Sequence, residues 1–266
     1  MESFGVYVHI PFCRRKCFYC DFPSQMGEEA LMTRYRDALC REIAAQGSLC
    51  LQQGTARTVY IGGGTPTSLP ADDLLAVVAS LRESFRLTGE EEFTVEVNPG
   101  TVDAHLLSRL HAAGVNRLSF GVQSFSDTLL RAIGRIHTAQ EAQDAVRLAQ
   151  AAGFRVSLDL MYGLPGQTLA DLEASVARAA ALAVGHISVY GLAVEEGTPF
   201  ARMADEGRLD LPSDEVCGDM YDYITAELPR LGYRRYEISN YAKKGEESRH
   251  NLAYWQDVPY VGIGAA

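Results

Sequence analysis

Apolar residues along the chain fall into two alternating rhythms. Short runs rich in Val, Ile and Tyr lie at Gly5–Phe12, Thr58–Gly62, Glu92–Val97, Arg117–Val122, Arg155–Tyr162 and His186–Val194, and each reads as a β-strand. Between them, over Glu28–Ala45, Ala71–Phe85, Val102–Ala113, Thr138–Ala152 and Thr168–Leu182, apolar positions recur every three or four residues. That spacing predicts helices with one buried face. Asp103 and Thr138 are placed to cap helix starts, and Gly114 and Gly153 to follow helix ends. Six strands alternating with helices predict an α/β fold of βαβ units on a parallel sheet.

After Val194 the rhythm changes. Ser213–Leu231 reads as a further helix and Tyr233–Ile238 as a short strand, and a polar loop over residues 243–247 leads into Ser248–Trp255. The last residues, Gly262–Ala266, read as the start of a loop. The division this predicts is a barrel core over residues 1–195 and a C-terminal extension over residues 196–266.

Polar or glycine-rich residues cluster just after each strand: Cys13–Cys20, Gly62–Thr67, Glu96–Pro99, Gln123, Asp159–Pro165 and Gly191 onward. In a parallel α/β sheet these positions share the C-terminal edge, where ligands bind. Stability alone gives no reason for the recurrence.

Composition narrows the class. With 24 Lys and Arg against 34 Asp and Glu, the 266-residue chain carries a net charge of −10, which argues against a general nucleic-acid binder. Apolar stretches fall short of a membrane span, and the N-terminus lacks a charged-then-apolar leader. A cytoplasmic enzyme is the default, with peripheral membrane association left open. Of six cysteines, Cys13, Cys17 and Cys20 sit within eight residues, while Cys40, Cys50 and Cys217 are scattered. In a reducing compartment such a cluster points to metal ligation rather than disulfides.

The spacing is C-x3-C-x2-C, through Cys13-Arg14-Arg15-Lys16-Cys17-Phe18-Tyr19-Cys20. Three thiolates on one short loop can hold three irons of a [4Fe–4S] cluster and leave the fourth iron without a protein ligand, whereas electron-transfer clusters are usually closed by four cysteines. Arg14, Arg15 and Lys16 would favour the thiolate forms. A zinc site completed by Asp21 or His9 is the alternative. Elsewhere, Gly62-Gly63-Gly64-Thr65-Pro66-Thr67 follows a strand, and its glycines let backbone approach a ligand closely. It reads as a contact for an amino group or as a plain turn; no Gly-Lys-Ser/Thr follows to suggest a phosphate loop. Glu96 closes a strand, as a hydrogen-bond acceptor for a ribose or substrate ammonium or as a solvated strand end. Asp159 lies within an apolar strand, where an unpartnered charge is costly.

The cysteine motif, with Tyr19 before its last cysteine, resembles that of the radical S-adenosylmethionine (SAM) superfamily. Tyr7-Val8-His9-Ile10-Pro11-Phe12-Cys13 and Tyr19-Cys20-Asp21-Phe22 further resemble the oxygen-independent coproporphyrinogen III oxidase group, and within it the haem-chaperone branch. The resemblance runs through nearly the whole chain. It implies a partial (βα)6 radical-SAM TIM-type barrel, a [4Fe–4S] cluster on Cys13, Cys17 and Cys20, and SAM at Tyr7, Gly63, Gly64, Thr65, Glu96, Gln123, Arg135 and Asp159. Tyr7 matches a tyrosine near the sulfonium, and Arg135 suits the SAM carboxylate as a bidentate partner. Reductive cleavage of SAM to methionine and a 5′-deoxyadenosyl radical follows from the same resemblance.

Two departures separate the branches. The decarboxylases of the group carry a fourth cysteine two residues after the third, where this chain has Phe22, and a long extension ahead of the position of Tyr7. Both weigh against coproporphyrinogen dehydrogenation, which stays the alternative activity beside a zinc-stabilised binding module. His250-Asn251-Leu252-Ala253-Tyr254-Trp255 matches the H-N-x-x-Y-W motif of the chaperones. It implies haem as a ligand, with His250 on the iron and Tyr254 and Trp255 lining a porphyrin face. Read without the family, His250 is a core histidine beside aromatic packing. Ser248 stands where many relatives have a cysteine, which puts thiolate attachment in doubt. The implied partners are haem, a haem-accepting protein and a reductant for the cluster; the family continues into a small C-terminal domain beyond Ala266.

Overall fold

The computed structural model describes residues 2–52 and 54–265. The six expected strands form and pair in chain order, all parallel: β1 (Glu2–Ile10), β2 (Gly54–Gly63), β3 (Glu92–Val97), β4 (Arg117–Gln123), β5 (Arg155–Tyr162) and β6 (His186–Gly191). The expected helices follow as α1 (Glu29–Cys50), α2 (Ala71–Ser84), α3 (Ala104–Ala112), α5 (Ala139–Ala151) and α6 (Leu169–Ala181), with a short α4 (Asp127–Ala132) between β4 and α5. Asp103 accepts from Leu106 N, and Thr138 forms a reciprocal capping box with Glu141. Gly114 and Gly153 follow their helices at φ +92° and +93°, a backbone region that suits glycine.

The strands alternate strictly, and this decides what the barrel is for. Val6, Val8, Val59, Ile61, Phe93, Val95, Leu118, Phe120, Val156, Leu158, Ile187 and Val189 are buried in the main core. The residues between them, which face the other side of a pleated strand, are Tyr7, His9, Tyr60, Glu92, Thr94, Glu96, Arg117, Ser119, Ser157, Asp159, His186, Ser188 and Tyr190. One face of the sheet therefore supplies stability and the other supplies chemistry.

Residues 196–265 extend the sheet at both edges. They contribute α7 (Pro199–Asp205), α8 (Asp214–Arg230), β7 (Arg234–Arg235), β8 (Asn240–Ala242), α9 (Arg249–Trp255) and β9 (Tyr260–Gly264). The order across the sheet is β7-β8-β6-β5-β4-β3-β2-β1-β9, open at both ends. Three sequence expectations are corrected. The strand expected over Tyr233–Ile238 is instead the two-residue β7 that turns back into β8, which lies antiparallel to β6. Gly262–Gly264, expected to begin a loop, belong to β9, which runs parallel to β1 and buries Ile263; Ala266 lies outside the described residues. The last expected strand of the core stops at Gly191, and residues 192–195 run on as loop.

Helix α9 is fastened at the N-terminal end of the strands. Ser248 caps it by accepting from Asn251 N, and the buried Glu92 carboxylate accepts from His250 N at 3.0 Å and from Ser248 Oγ at 3.4 Å. Arg155 pairs with Glu92 and with Glu246 on the preceding loop, so the start of β3 and the start of β5 jointly hold this helix.

Candidate functional site: a cysteine-lined cavity at the C-terminal strand edge

The loops after β1–β6 enclose a cavity of about 300 Å³, at the lower end of the roughly 300–1,000 Å³ that ligand pockets span. Cys13, Cys17 and Cys20 line it together with Gly63, Gly64, Thr65, Glu96, Gln123, Arg135 and Asp159. Ten residues drawn from six separate segments, each singled out in the sequence for cluster or SAM contact, thus meet in one place. Tyr19, Asn98, Ser119 and Tyr190, none of them expected as a cluster or SAM ligand, also line the wall.

A hydrogen-bonded chain links two of the thiols. Arg135 Nη1 donates to Cys17 Sγ at 3.5 Å, and Arg135 Nη2 donates to Asn98 Oδ1 and to the Gly121 carbonyl. Asn98 Nδ2 donates to Thr65 Oγ1 at 2.7 Å, which lies 3.6 Å from Cys13 Sγ. Arg135 Nε is buried without a partner, an unspent donor beside the cavity. The cation bonded to a thiol is therefore Arg135, at Cys17. Arg14, Arg15 and Lys16, expected in that role, mainly hold the loop: Arg14 donates to the Gly100 carbonyl, Lys16 to the Phe22 carbonyl, and Arg15 lies over the Phe18 ring. Burial pushes the Cys20 thiol up, opposed first by the Phe22 backbone hydrogen bond and less by the charge of Lys16.

These donors fit a cubane better than a single ion. Among the described residues no group of three or more Cys, His, Asp or Glu side chains converges to hold one metal ion, whereas a [4Fe–4S] cluster asks each thiolate to meet a different iron. His9, the candidate fourth zinc ligand, is engaged at both ring nitrogens: Nε2 with the Pro23 carbonyl at 2.8 Å and Nδ1 with Tyr7 Oη at 3.1 Å. Asp21, the other candidate, lies exposed at the cavity rim.

The glycine segment has spent its donors. Gly63 N bonds Glu96 Oε2 at 3.2 Å, Gly64 N the Ile10 carbonyl at 2.8 Å and Thr65 N the Phe12 carbonyl at 2.7 Å. A phosphate cradle needs free N–H groups, so this segment suits an ammonium, which asks only for acceptors. Close packing explains the glycines. Gly63 sits at φ +109°, and a Cβ on Gly64 would lie 2.6 Å from the Phe12 carbonyl oxygen. Gln123 at the end of β4 also adopts a left-handed φ of +66°, which costs a non-glycine residue roughly 1–2 kcal/mol; Tyr190 Oη donates to its Oε1 at 3.3 Å. Strain at a cavity wall is the usual mark of a working site.

Besides the exposed Asp21 and Glu195, two carboxyl groups, Glu96 and Asp159, lie within the cavity. Burial pushes Glu96 up to about 7, with Asp159 adding repulsion, while hydrogen bonds from Tyr60 (Oη to Oε1, 2.8 Å) and Gly63 oppose the rise. Burial pushes Asp159 up to about 6 against bonds from Ser188 and Ser119 and the charges of Arg117 and Arg135. Because the folded-state value of Glu96 lies above its ordinary 4.5, its stabilising contribution is complete below that ordinary value. It is lost as pH rises through about 7. Glu96→Gln should therefore raise the melting temperature of the ligand-free protein more at pH 8 than at pH 5. A pH-independent difference would contradict this carboxyl's burial.

Tyr7 does not line the cavity wall. It stands one layer deeper, stacked on Tyr60 (6.2 Å, 24°) and bonded to His9. His250, Tyr254 and Trp255 lie elsewhere, on α9. His250 is 2% exposed; its Nδ1 meets Thr58 Oγ1 at 2.8 Å, its Nε2 meets Tyr254 Oη at 2.9 Å, and burial pushes its pKa down to about 4. As folded, the ring occupies the floor of the barrel with both nitrogens engaged, and it is not presented to a ligand. Tyr254 and Trp255 are 40% and 55% exposed.

The radical SAM superfamily model matches residues 7–179. The heme chaperone HemW of Bacillus subtilis (strain 168) is 43% identical over 267 residues, covering 98% of this chain and 69% of that protein. The chain belongs to the HemW family of radical SAM proteins. The heme chaperone HemW of Escherichia coli (strain K12) is 39% identical, over 99% of this chain and 69% of its own length. Among solved structures, the coproporphyrinogen III oxidase HemN from Escherichia coli, a radical SAM enzyme, superposes with a TM-score of 0.85 at 27% identity. The match covers 99% of this chain and 63% of that one. The chain thus spans about two thirds of the length of these relatives.

Proposed function

We propose that this chain binds a three-cysteine [4Fe–4S] cluster and SAM in the cavity, and that the protein binds haem and passes it to a haem-accepting protein. The observation that carries the first half is the meeting of Cys13, Cys17 and Cys20 with Arg135, Glu96 and Asp159 around one cavity. Cys13, Cys17 and Cys20 hold the cluster. The unspent Nε of Arg135 meets the SAM carboxylate, Glu96 takes the ribose hydroxyls, and the glycine segment and Asp159 face the cationic part. Bound there, such a cluster supplies an electron to the sulfonium of SAM. The protein's own part is to orient SAM and to keep water from it.

The haem-chaperone half rests on the names of the relatives and on the H-N-x-x-Y-W segment, together with Phe22 standing where the decarboxylases carry a cysteine. A cytoplasmic setting, a cluster reductant and a haem acceptor belong to the same reading, and so does a boundary near residue 195. No helix among the described residues is long and apolar enough to cross a membrane.

The deciding experiment uses anaerobically reconstituted protein. Titration with haem should give a saturable Soret change, and mixing with a haem-free acceptor should move the haem across. Incubation with coproporphyrinogen III, SAM and reductant should leave the substrate unchanged. Formation of protoporphyrinogen would replace the chaperone reading with decarboxylation.

A further inference from the structure

The H-N-x-x-Y-W helix does something the sequence motif does not announce. His250 stacks on the Tyr60 ring (centroids 5.2 Å apart, 25° between planes), and Tyr60 Oη donates to Glu96 Oε1 at 2.8 Å. On its other side His250 is pinned by Thr58 and Tyr254 (2.8 and 2.9 Å), and its backbone N–H by Glu92 at 3.0 Å. Tyr60 sits on β2 with His250 stacked on its ring and Glu96 bonded to its hydroxyl, so its ring joins α9 to a cavity carboxylate.

We propose that Tyr60 is a positioning residue for Glu96, and that α9, through His250, holds the Tyr60 ring where its hydroxyl meets that carboxylate. The consequence for SAM affinity rests on the cofactor reading above; the Tyr60–Glu96–His250 coupling does not. A hydroxyl fixed on one oxygen of Glu96, with Gly63 N on the other, leaves the carboxylate plane a single orientation. It also favours the ionised form that can accept ribose hydroxyls. Glu96 is faced by Tyr60 and Gly63 N from β2, Tyr7 from β1, Asp159 from β5 and Tyr190 from β6. Arg117 on β4 acts on Tyr60 and Asp159. Of these side chains, Tyr60 is the one that donates a hydrogen bond to Glu96.

The test has two readouts on one set of variants. In SAM-free protein, the Glu96 carboxyl band is titrated by infrared difference spectroscopy against Glu96→Gln. Tyr60→Phe should move its midpoint upward by about one pH unit or more, roughly the worth of one hydrogen bond to a charged group. His250→Ala should move it in the same direction, and His250→Phe, which keeps a stacked ring, should restore it. If His250→Ala does not fold, Tyr60→Phe still decides the Tyr60–Glu96 half, and His250→Leu, which fills the space without a stacked ring, decides the α9 half: an upward midpoint upholds it and a native midpoint overturns it. In the cluster-loaded protein, Tyr60→Phe should weaken SAM binding about fivefold or more at pH 7. Tyr60→Phe combined with His250→Ala should lose little beyond the larger single effect. An unchanged Glu96 midpoint in Tyr60→Phe overturns the inference, whatever SAM does. A shifted midpoint in a protein that binds no SAM upholds the positioning and overturns the cofactor reading instead.

Discussion

Cys13→Ala should bring iron and acid-labile sulfide after anaerobic reconstitution from about four of each per chain to less than one. The argument is geometric. The three thiols come from one loop of eight residues, and they line the cavity with no fourth cysteine beside them. With Cys13 gone, two thiols face a cubane, which leaves two irons open to solvent and to loss. Cys50→Ala and Cys217→Ala, which lie outside the cavity, should retain the full complement. Iron and sulfide analysis with the visible spectrum of the brown protein checks this. A Cys13→Ala protein with native stoichiometry would falsify the three-thiol assignment.

Arg135→Lys should weaken SAM binding by about 10- to 100-fold, the loss expected of hydrogen bonds made by a charged, planar group. The guanidinium has one face of work already done: it reaches Cys17 Sγ, Asn98 Oδ1 and the Gly121 carbonyl at once. A lysine ammonium cannot reproduce a rigid fork of donors. It would leave at least one of those acceptors unmet and would lack the unpartnered Nε proposed above for the SAM carboxylate. Because Arg135 donates to Cys17 Sγ, one of the thiols proposed to hold the cluster, the electron paramagnetic resonance of the reduced cluster should also change, even without SAM. A melting temperature measured alongside separates this from a folding defect. SAM affinity within twofold of native would remove Arg135 from the carboxylate role.

Much of the site was legible in the chain because the polar residues that interrupt the apolar runs were conspicuous one by one. Cys13, Cys17 and Cys20 declared themselves by spacing, and Asp159 by standing in an apolar strand. Asn98 was missed, although it sits two residues from Glu96, since an Asn before a proline reads first as a turn residue. Tyr60 was missed for a different reason. In the run Thr58-Val59-Tyr60-Ile61 it reads as an ordinary strand aromatic, and nothing local says that its hydroxyl meets a carboxylate thirty-six residues on. His250 carried two readings, a haem ligand and a core histidine beside aromatic packing, and the fold shows the second. Its motif drew attention to the imidazole as a ligand, yet Thr58 and Tyr254 occupy both of its nitrogens.

Local sequence set the strands, the helices with their caps, and the loop of three cysteines, because those depend on side-chain periodicity and on groups a few residues apart. The sequence also determined, by strict alternation along β1–β6, that each strand has one apolar and one polar face. What only the tertiary structure decided is how the polar faces register with one another. Parallel pairing brings Tyr60 level with Tyr7 and Glu96 level with Ser119, and it delivers six distant segments to one cavity. It also carries β9 back beside β1 and seats α9 on Glu92 at the opposite end. Those outcomes hang on strand pairing between residues tens to hundreds of positions apart, a separation at which no local pattern constrains which side chains will meet.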